Sequence, residues 1–220
     1  MLNKDLISAS IPPLSLTDTV YQALHLMTDH HLTQLPVISD DKYLGLVTED
    51  QLLNALDEND TLENLQREFS RLSVNANLHF SEAIRVINEF SLTVLPVIDN
   101  ENLWVGAIAA SDLLKFIGKM FGIDEPGGII VLELEKREFS FSQISKLVET
   151  NDAFITQLNT QYDNNLGLLY VTLKINKFEI SDIVATFQRY DYSVKYYFGE
   201  ELYENELKTN YDHLMNYLNI

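Results

Sequence analysis

Side chains able to do chemistry are sparse in these 220 residues. There is no cysteine, which removes disulfides, thiolate nucleophiles and thiolate metal ligands together. The histidines are His25, His30, His31, His79 and His213. Only His30 and His31 are close in sequence, and adjacent positions at a helix end point in different directions. No His–carboxylate spacing matches a zinc motif, and no glycine-rich phosphate loop or nucleophile elbow is present. With 33 acidic residues, chance carboxylate pairs are inevitable and carry no weight. The expectation is a protein that is not an enzyme and holds no metal.

What remains is a small set of polar residues at expected helix starts. Thr48 precedes Gln51 by three residues, the spacing of a capping box in which each side chain satisfies the other's backbone N–H. Asp112, after Ser111, falls in a first helical turn, where the helix dipole favours an acid. Free N–H groups at such a terminus also favour an anionic ligand. Lys115 and Lys119 follow Asp112, and Arg85 lies on the preceding helix. They could serve an anion or form a solvated face.

These positions belong to an internal repeat. Residues 32–38 read Leu-Thr-Gln-Leu-Pro-Val-Ile, and residues 92–98 read Leu-Thr-Val-Leu-Pro-Val-Ile, six matches in seven at an offset of 60. Upstream, Val20, Ala23, Leu24 and Met27 align with Phe80, Ala83, Ile84 and Ile87, each set spaced as one apolar helical stripe. Downstream, Gly45-Leu46-Val47-Thr48 aligns with Gly106-Ala107-Ile108-Ala109, and Leu52-Leu53 with Leu113-Leu114. Each copy predicts helix, strand, turn, strand, helix. The polar turns are Ser39–Lys42 and Asp99–Asn102. A copy of about 60 residues is marginal alone, so the two should share a core.

An amphipathic helix, Leu-Pro-Val-Ile, then Gly-x-x-Thr-x-x-Asp-Leu-Leu resembles the CBS domain, and the double occurrence resembles a CBS pair. That resemblance implies a cleft for an adenosine-containing ligand such as AMP or ATP. In it, the Thr hydroxyl serves the phosphate, the Asp serves the ribose hydroxyls, and the base lies near the Pro of the first strand. Carried over, the implied site residues are Thr48, Gln51 and Pro36 in the first copy, and Asp112, Ser111, Pro96 and Val94 in the second. Neither copy keeps the full set. The first has Gln51 in place of Asp, with Asp50 one position early and about 100° round the helix. The second has Ala109 in place of Thr. A surviving nucleotide site is therefore expected around Asp112, for a ligand whose adenosine matters more than its phosphates.

From Gly127 the pattern changes. Ile130, Leu132 and Leu134 alternate with Val131, Glu133 and Glu135 as a half-buried strand. Ser140 and Gln143 form a second capping box, stapled by Phe139 and Ile144, before a stripe of Phe141, Ile144 and Val148. A strand from Phe154 to about Tyr162, the turn Asp163–Gly167, and a strand facing Leu169, Val171, Leu173 and Ile175 follow. The stripe Ile180, Ile183, Val184, Phe187 and a last strand with Val194, Tyr196 and Phe198 complete a βαββαβ order. After a CBS pair this order resembles an ACT domain, and the whole chain is similar to acetoin-utilisation-type CBS–ACT regulatory proteins. The turn Glu135–Ser140 lacks the glycine that ACT amino-acid sites use, so a dimerisation or relay role is expected. Arg137 there fits a surface charge. Residues 200–220 predict a final helix with a Leu207, Tyr211, Leu214, Leu218 stripe.

The expected fold class is thus α+β. The expected divisions are 1–60 and 61–125 for the CBS units, 126–199 for the ACT-like domain and 200–220 for the terminal helix. The formal net charge of −18 weighs against nucleic acid and anionic membranes as partners. No apolar run is long enough to span a bilayer, and the N-terminal residues lack a secretory pattern. The expectation is a cytoplasmic homodimeric regulator acting on an unknown protein target. Its alternative is a dimeric scaffold whose ligand sites have degenerated.

Overall fold

The computed structural model describes residues 1–199 and divides the chain into two compact units, Met1–Ile117 and Gly118–Ile220. The terminal helix expected over 200–220 lies outside the described residues.

The first unit contains both repeats. The first has β1 (Leu14–Ser15), α1 (Val20–His30), β2 (Gln34–Ser39), β3 (Lys42–Thr48) and α2 (Glu49–Leu53). The second has β4 (Val74–Asn75), α3 (Ser81–Phe90), β5 (Val94–Ile98), β6 (Trp104–Ala109) and α4 (Ala110–Met120). The sheets β1-β2-β3 and β4-β5-β6 share one plan: the short strand runs parallel to the middle strand, and the third runs antiparallel. Asp40 and Asp41, both with positive φ, form the tight β2–β3 turn that the right-handed twist of a hairpin favours. Thr19 and Gln22 cap α1 reciprocally.

The expected stripes are met with two shifts. On α1, Val20, Ala23 and Met27 are buried, and Leu24 is partly so. In the second copy Phe80 precedes the helix, and Val86 joins Ala83 and Ile87 in the core. The repeats share that core: Leu46 of β3 packs in the cluster of Val97, Ile108 and Leu113. Tyr43 and Trp104, equivalent across the repeat, stack 6.4 Å apart. The Thr33 N–H donates to Thr93 Oγ1 at 3.2 Å, and the Thr93 N–H to Gln34 Oε1 at 2.9 Å.

The second unit has β7 (Ile129–Glu135), α5 (Phe141–Glu149), β8 (Ile155–Asp163), β9 (Leu168–Ile175), α6 (Ser181–Arg189) and β10 (Ser193–Phe198). Its sheet is antiparallel in the order β10-β7-β9-β8, the ferredoxin-like βαββαβ arrangement. Ile130, Leu132, Leu134, Val171, Leu173 and Ile175 meet Ile144, Val148, Ile183 and Phe187 in one core. Three local expectations change. Phe141 is 55% exposed, and Leu147 takes its place in the α5 stripe. Val131 is buried as well as its neighbours, because it is flanked by Thr172 and Tyr196 on the two adjacent strands. A bulge between Val194 and Tyr196 breaks the alternation of β10. The last strand therefore does not present Val194, Tyr196 and Phe198 on one face.

Candidate functional site

The two helix starts expected to carry the chemistry are built differently. In the first repeat, Thr48 is the N-cap of α2. The Gln51 N–H donates to Thr48 Oγ1 at 3.3 Å, and the Thr48 N–H donates to Gln51 Oε1 at 2.9 Å. The Gln51 amide nitrogen then donates to the Glu68 carbonyl at 2.6 Å. Thr48 Oγ1, Gln51 Oε1 and the Gln51 amide nitrogen thus each have a partner within the chain. Asp50 is exposed.

In the second repeat, Ala109 has no side-chain oxygen to cap α4. Ser8, 101 residues upstream and buried, serves a different donor there: the Ala109 N–H donates to Ser8 Oγ at 3.0 Å. The Ser8 N–H in turn donates to the Ala107 carbonyl at 2.8 Å. Lys115 Nζ donates to Asp112 Oδ1 at 2.9 Å, and the Ser8 hydroxyl faces the same carboxyl. These two interactions, Ser8 first, hold the Asp112 carboxyl below the usual carboxylate range. Ser8 Oγ thus accepts from the Ala109 N–H as Gln51 Oε1 accepts from the equivalent Thr48 N–H in the first repeat. The Asp112 side chain remains 40% exposed beside it.

Ser8 was not among the expected site residues. A repeat-level signal exists: Ile7-Ser8 and Phe69-Ser70 both precede the short first strands. The Ser70 N–H donates to the Leu46 carbonyl as the Ser8 N–H does to the equivalent Ala107. Both segments pass so close to a glycine that a Cβ there would collide. A Cβ on Gly45 would lie 2.6 Å from Phe69 Cβ and 2.8 Å from Ser70 O; one on Gly106 would lie 2.5 Å from Ile7 Cγ2. The glycines of the two Gly-x-x-Thr/Ala segments therefore seat the segments that carry Ser8 and Ser70, and the former reaches the start of α4.

The other expected residues are placed as follows. Pro36 and Pro96 are buried on the middle strands, paired with Leu46 and Ala107. Val94 is fully buried opposite Ala109, directly behind the start of α4, and Ser111 is exposed beside Asp112. Arg85 is held by Glu82 and Glu89 on its own helix, each at 2.9 Å, so it is not poised for an anion. Arg137 pairs with Glu135 on the surface of the second unit. Among the described residues, no group of three or more His, Asp or Glu is placed to hold a metal ion. None of the described helices is long and apolar enough to cross a membrane.

Residues 4–58 match the family model of the CBS domain. The first repeat is a CBS domain. The second repeats its elements strand for strand, so the first unit has the plan of a CBS pair. Inosine-5'-monophosphate dehydrogenase of Bacillus subtilis is 22% identical over 163 residues, 72% of this chain and 33% of the dehydrogenase. The chain spans about a third of the length of the dehydrogenases it matches. Among solved structures, a CBS domain pair/ACT domain protein from Thermotoga maritima is similar, with 24% identity and a TM-score of 0.49 over 55% of this chain and 98% of that one. CBSX2 in complex with AMP is similar, with 24% identity and a TM-score of 0.44 over 54% of this chain and 97% of that one.

Proposed function

We propose that this chain is a non-catalytic, cytoplasmic, homodimeric regulator whose CBS pair binds an adenosine-containing ligand at the start of α4. The second unit relays binding to a protein target. The carrying observation is the Ser8–Asp112 pair at the α4 N-terminus. It places a hydroxyl, a half-exposed carboxylate and a helix dipole at one point. A carboxylate kept ionised there can accept both hydroxyls of a ribose, and its second oxygen is not spent by Lys115. An anionic tail on the ligand adds less, because the chain has few bases to meet it.

The scaffold reading is favoured at the first repeat alone, where Thr48, Gln51 and Glu68 close on one another. Thermal unfolding with adenosine, AMP and ATP separates the two readings. A ligand at a hundred times its Kd adds about 2.7 kcal/mol. At roughly 2–4 °C per kcal/mol for a chain of this size, that raises Tm by about 5–11 °C. Adenosine should give most of the shift that ATP gives, and Asp112→Ala should abolish it. An unaltered ATP shift in Asp112→Ala overturns the site. No shift with any adenine compound establishes the scaffold instead.

A further inference from the structure

The sheet of the second unit has two edges, β10 and β8. An open edge offers unpaired N–H and C=O groups to any other strand, and proteins blunt such edges with lysines, bulges or short lengths. The β10 edge is blunted twice, because its bulge between Val194 and Tyr196 carries Lys195. The β8 edge is built differently. Beyond its own bulge between Ile155 and Gln157, β8 runs regularly from Gln157 to Asp163, in register with Lys174 to Leu168 of β9. Among the described residues nothing pairs with its other edge, and Asn159, Thr160, Gln161 and Tyr162 are exposed. The chain is 22% charged with a net charge of −18, yet no charged residue occurs from Ala153 to Tyr162. Two copies of this edge can therefore approach without setting acid against acid.

We propose that the β8 edge pairs antiparallel with the β8 edge of a second copy of this chain, joining the two four-stranded sheets into one. This rests on the homodimer reading above and names its surface. The register follows from the strand. A two-fold axis maps the edge onto itself about the middle of its regular run, and the middle of Gln157–Asp163 is Thr160. Thr160 then meets its own counterpart. Asn159 of one copy meets Gln161 of the other, Leu158 meets Tyr162, and Gln157 meets Asp163. Leu158 packs against the core of its own unit, so Thr160 and Tyr162 alternate with it onto the helix-covered face, and the amides and Asp163 lie on the other. Each opposed pair therefore matches in character: leucine with a tyrosine ring that is 47% exposed, hydroxyl with hydroxyl, amide with amide, amide with carboxylate. No two carboxylates face each other. Lys136, whose Nζ lies 5.7 Å from the centre of the Tyr162 ring, comes at the ends of the pairing and not at its middle.

The chain has no cysteine, so single-cysteine variants of the full chain report the pairing directly. Opposed residues of an antiparallel pair have Cα atoms about 4.5–5.5 Å apart, within reach of a disulfide. Thr160→Cys sits on the axis. The two Gln157 positions lie opposite Asp163 and not opposite each other, about 20 Å apart along the strand. Under mild oxidation of dilute protein, Thr160→Cys should form a covalent dimer in about tenfold higher yield than Gln157→Cys. Both variants are checked for fold by circular dichroism, and Thr160 is exposed, so its replacement removes no core contact. Sedimentation of the unaltered chain separates this proposal from the reading beneath it. If that chain sediments as a dimer and Thr160→Cys crosslinks no better than Gln157→Cys, the β8 pairing is overturned and the homodimer uses another surface. If it sediments as a monomer, both are overturned.

Discussion

Replacing Ser8 by alanine removes one hydroxyl that serves two partners. The Ala109 N–H at the start of α4 loses its acceptor at 3.0 Å, and Asp112 loses its first hydrogen-bond donor. Leaving that buried N–H without its acceptor costs about 1–3 kcal/mol. The bond to Asp112 is charge-assisted, but that side chain is 40% exposed, so water recovers most of its value. The sum is about 2 kcal/mol, read as a fall in the urea midpoint at unchanged slope. The decisive measurement is a double-mutant cycle with Asp112→Asn, expected to show a coupling of about 1 kcal/mol. The pH dependence has a fixed sign. A carboxyl held below its ordinary range stabilises the fold above that range, and the contribution is lost as pH falls through the folded value. Ser8→Ala should therefore move the Asp112 titration upward, and the gap between variant and parent should narrow in acid. A cycle additive to within about 0.4 kcal/mol, with the Asp112 titration unmoved, refutes the pairing.

Gly45→Ala should destabilise more than Gly106→Ala, by about 1–3 kcal/mol for the former. The obstacle at Gly45 is Phe69 Cβ and the Ser70 carbonyl, whereas at Gly106 the nearest atoms all belong to the Ile7 side chain beyond its Cβ, which can change rotamer; equal costs in chemical denaturation would contradict this. Tyr43 is buried with its hydroxyl on the Leu72 carbonyl at 2.7 Å, and burial pushes its phenol far above the ordinary value of 10.0. Tyr43→Phe should cost about 1 kcal/mol at neutral pH. The parent loses stability once pH rises past 10.0, where only the unfolded phenol ionises, so the cost should shrink in alkali. A cost independent of pH, measured by denaturation from pH 8 to 11, would count against it.

The repeat was readable because both copies need the same apolar spacing and the same Gly-x-x-Thr/Ala strand exit. The Thr48–Gln51 box was readable because capping is local: three residues decide it. Ser8 was not, because its bond to Ala109 joins positions 101 residues apart and its own neighbourhood, Leu6-Ile7-Ser8-Ala9, carries no periodic signal. Phe141 illustrates the reverse error. Helix-stripe spacing points this aromatic inward, but it is the first residue of α5, and the core is filled by Leu147. In β10 the extra residue of the bulge, Lys195, breaks the alternation; its ammonium sits 3.8 Å from the Tyr170 ring and 3.3 Å from Glu133.

The Ser8–Ala109 bond also sets a schedule for the nascent chain. At about 5–20 residues per second, roughly 5–20 seconds separate the synthesis of Ser8 from that of Ala109. Through that interval Ile7 and Ser8 lack their seats at Gly106 and Ala107, because those residues have not left the ribosome. The first CBS unit can collapse on its own core, but its leading segment must stay available until β6 emerges. A chain stalled between the two repeats would present that segment unpaired.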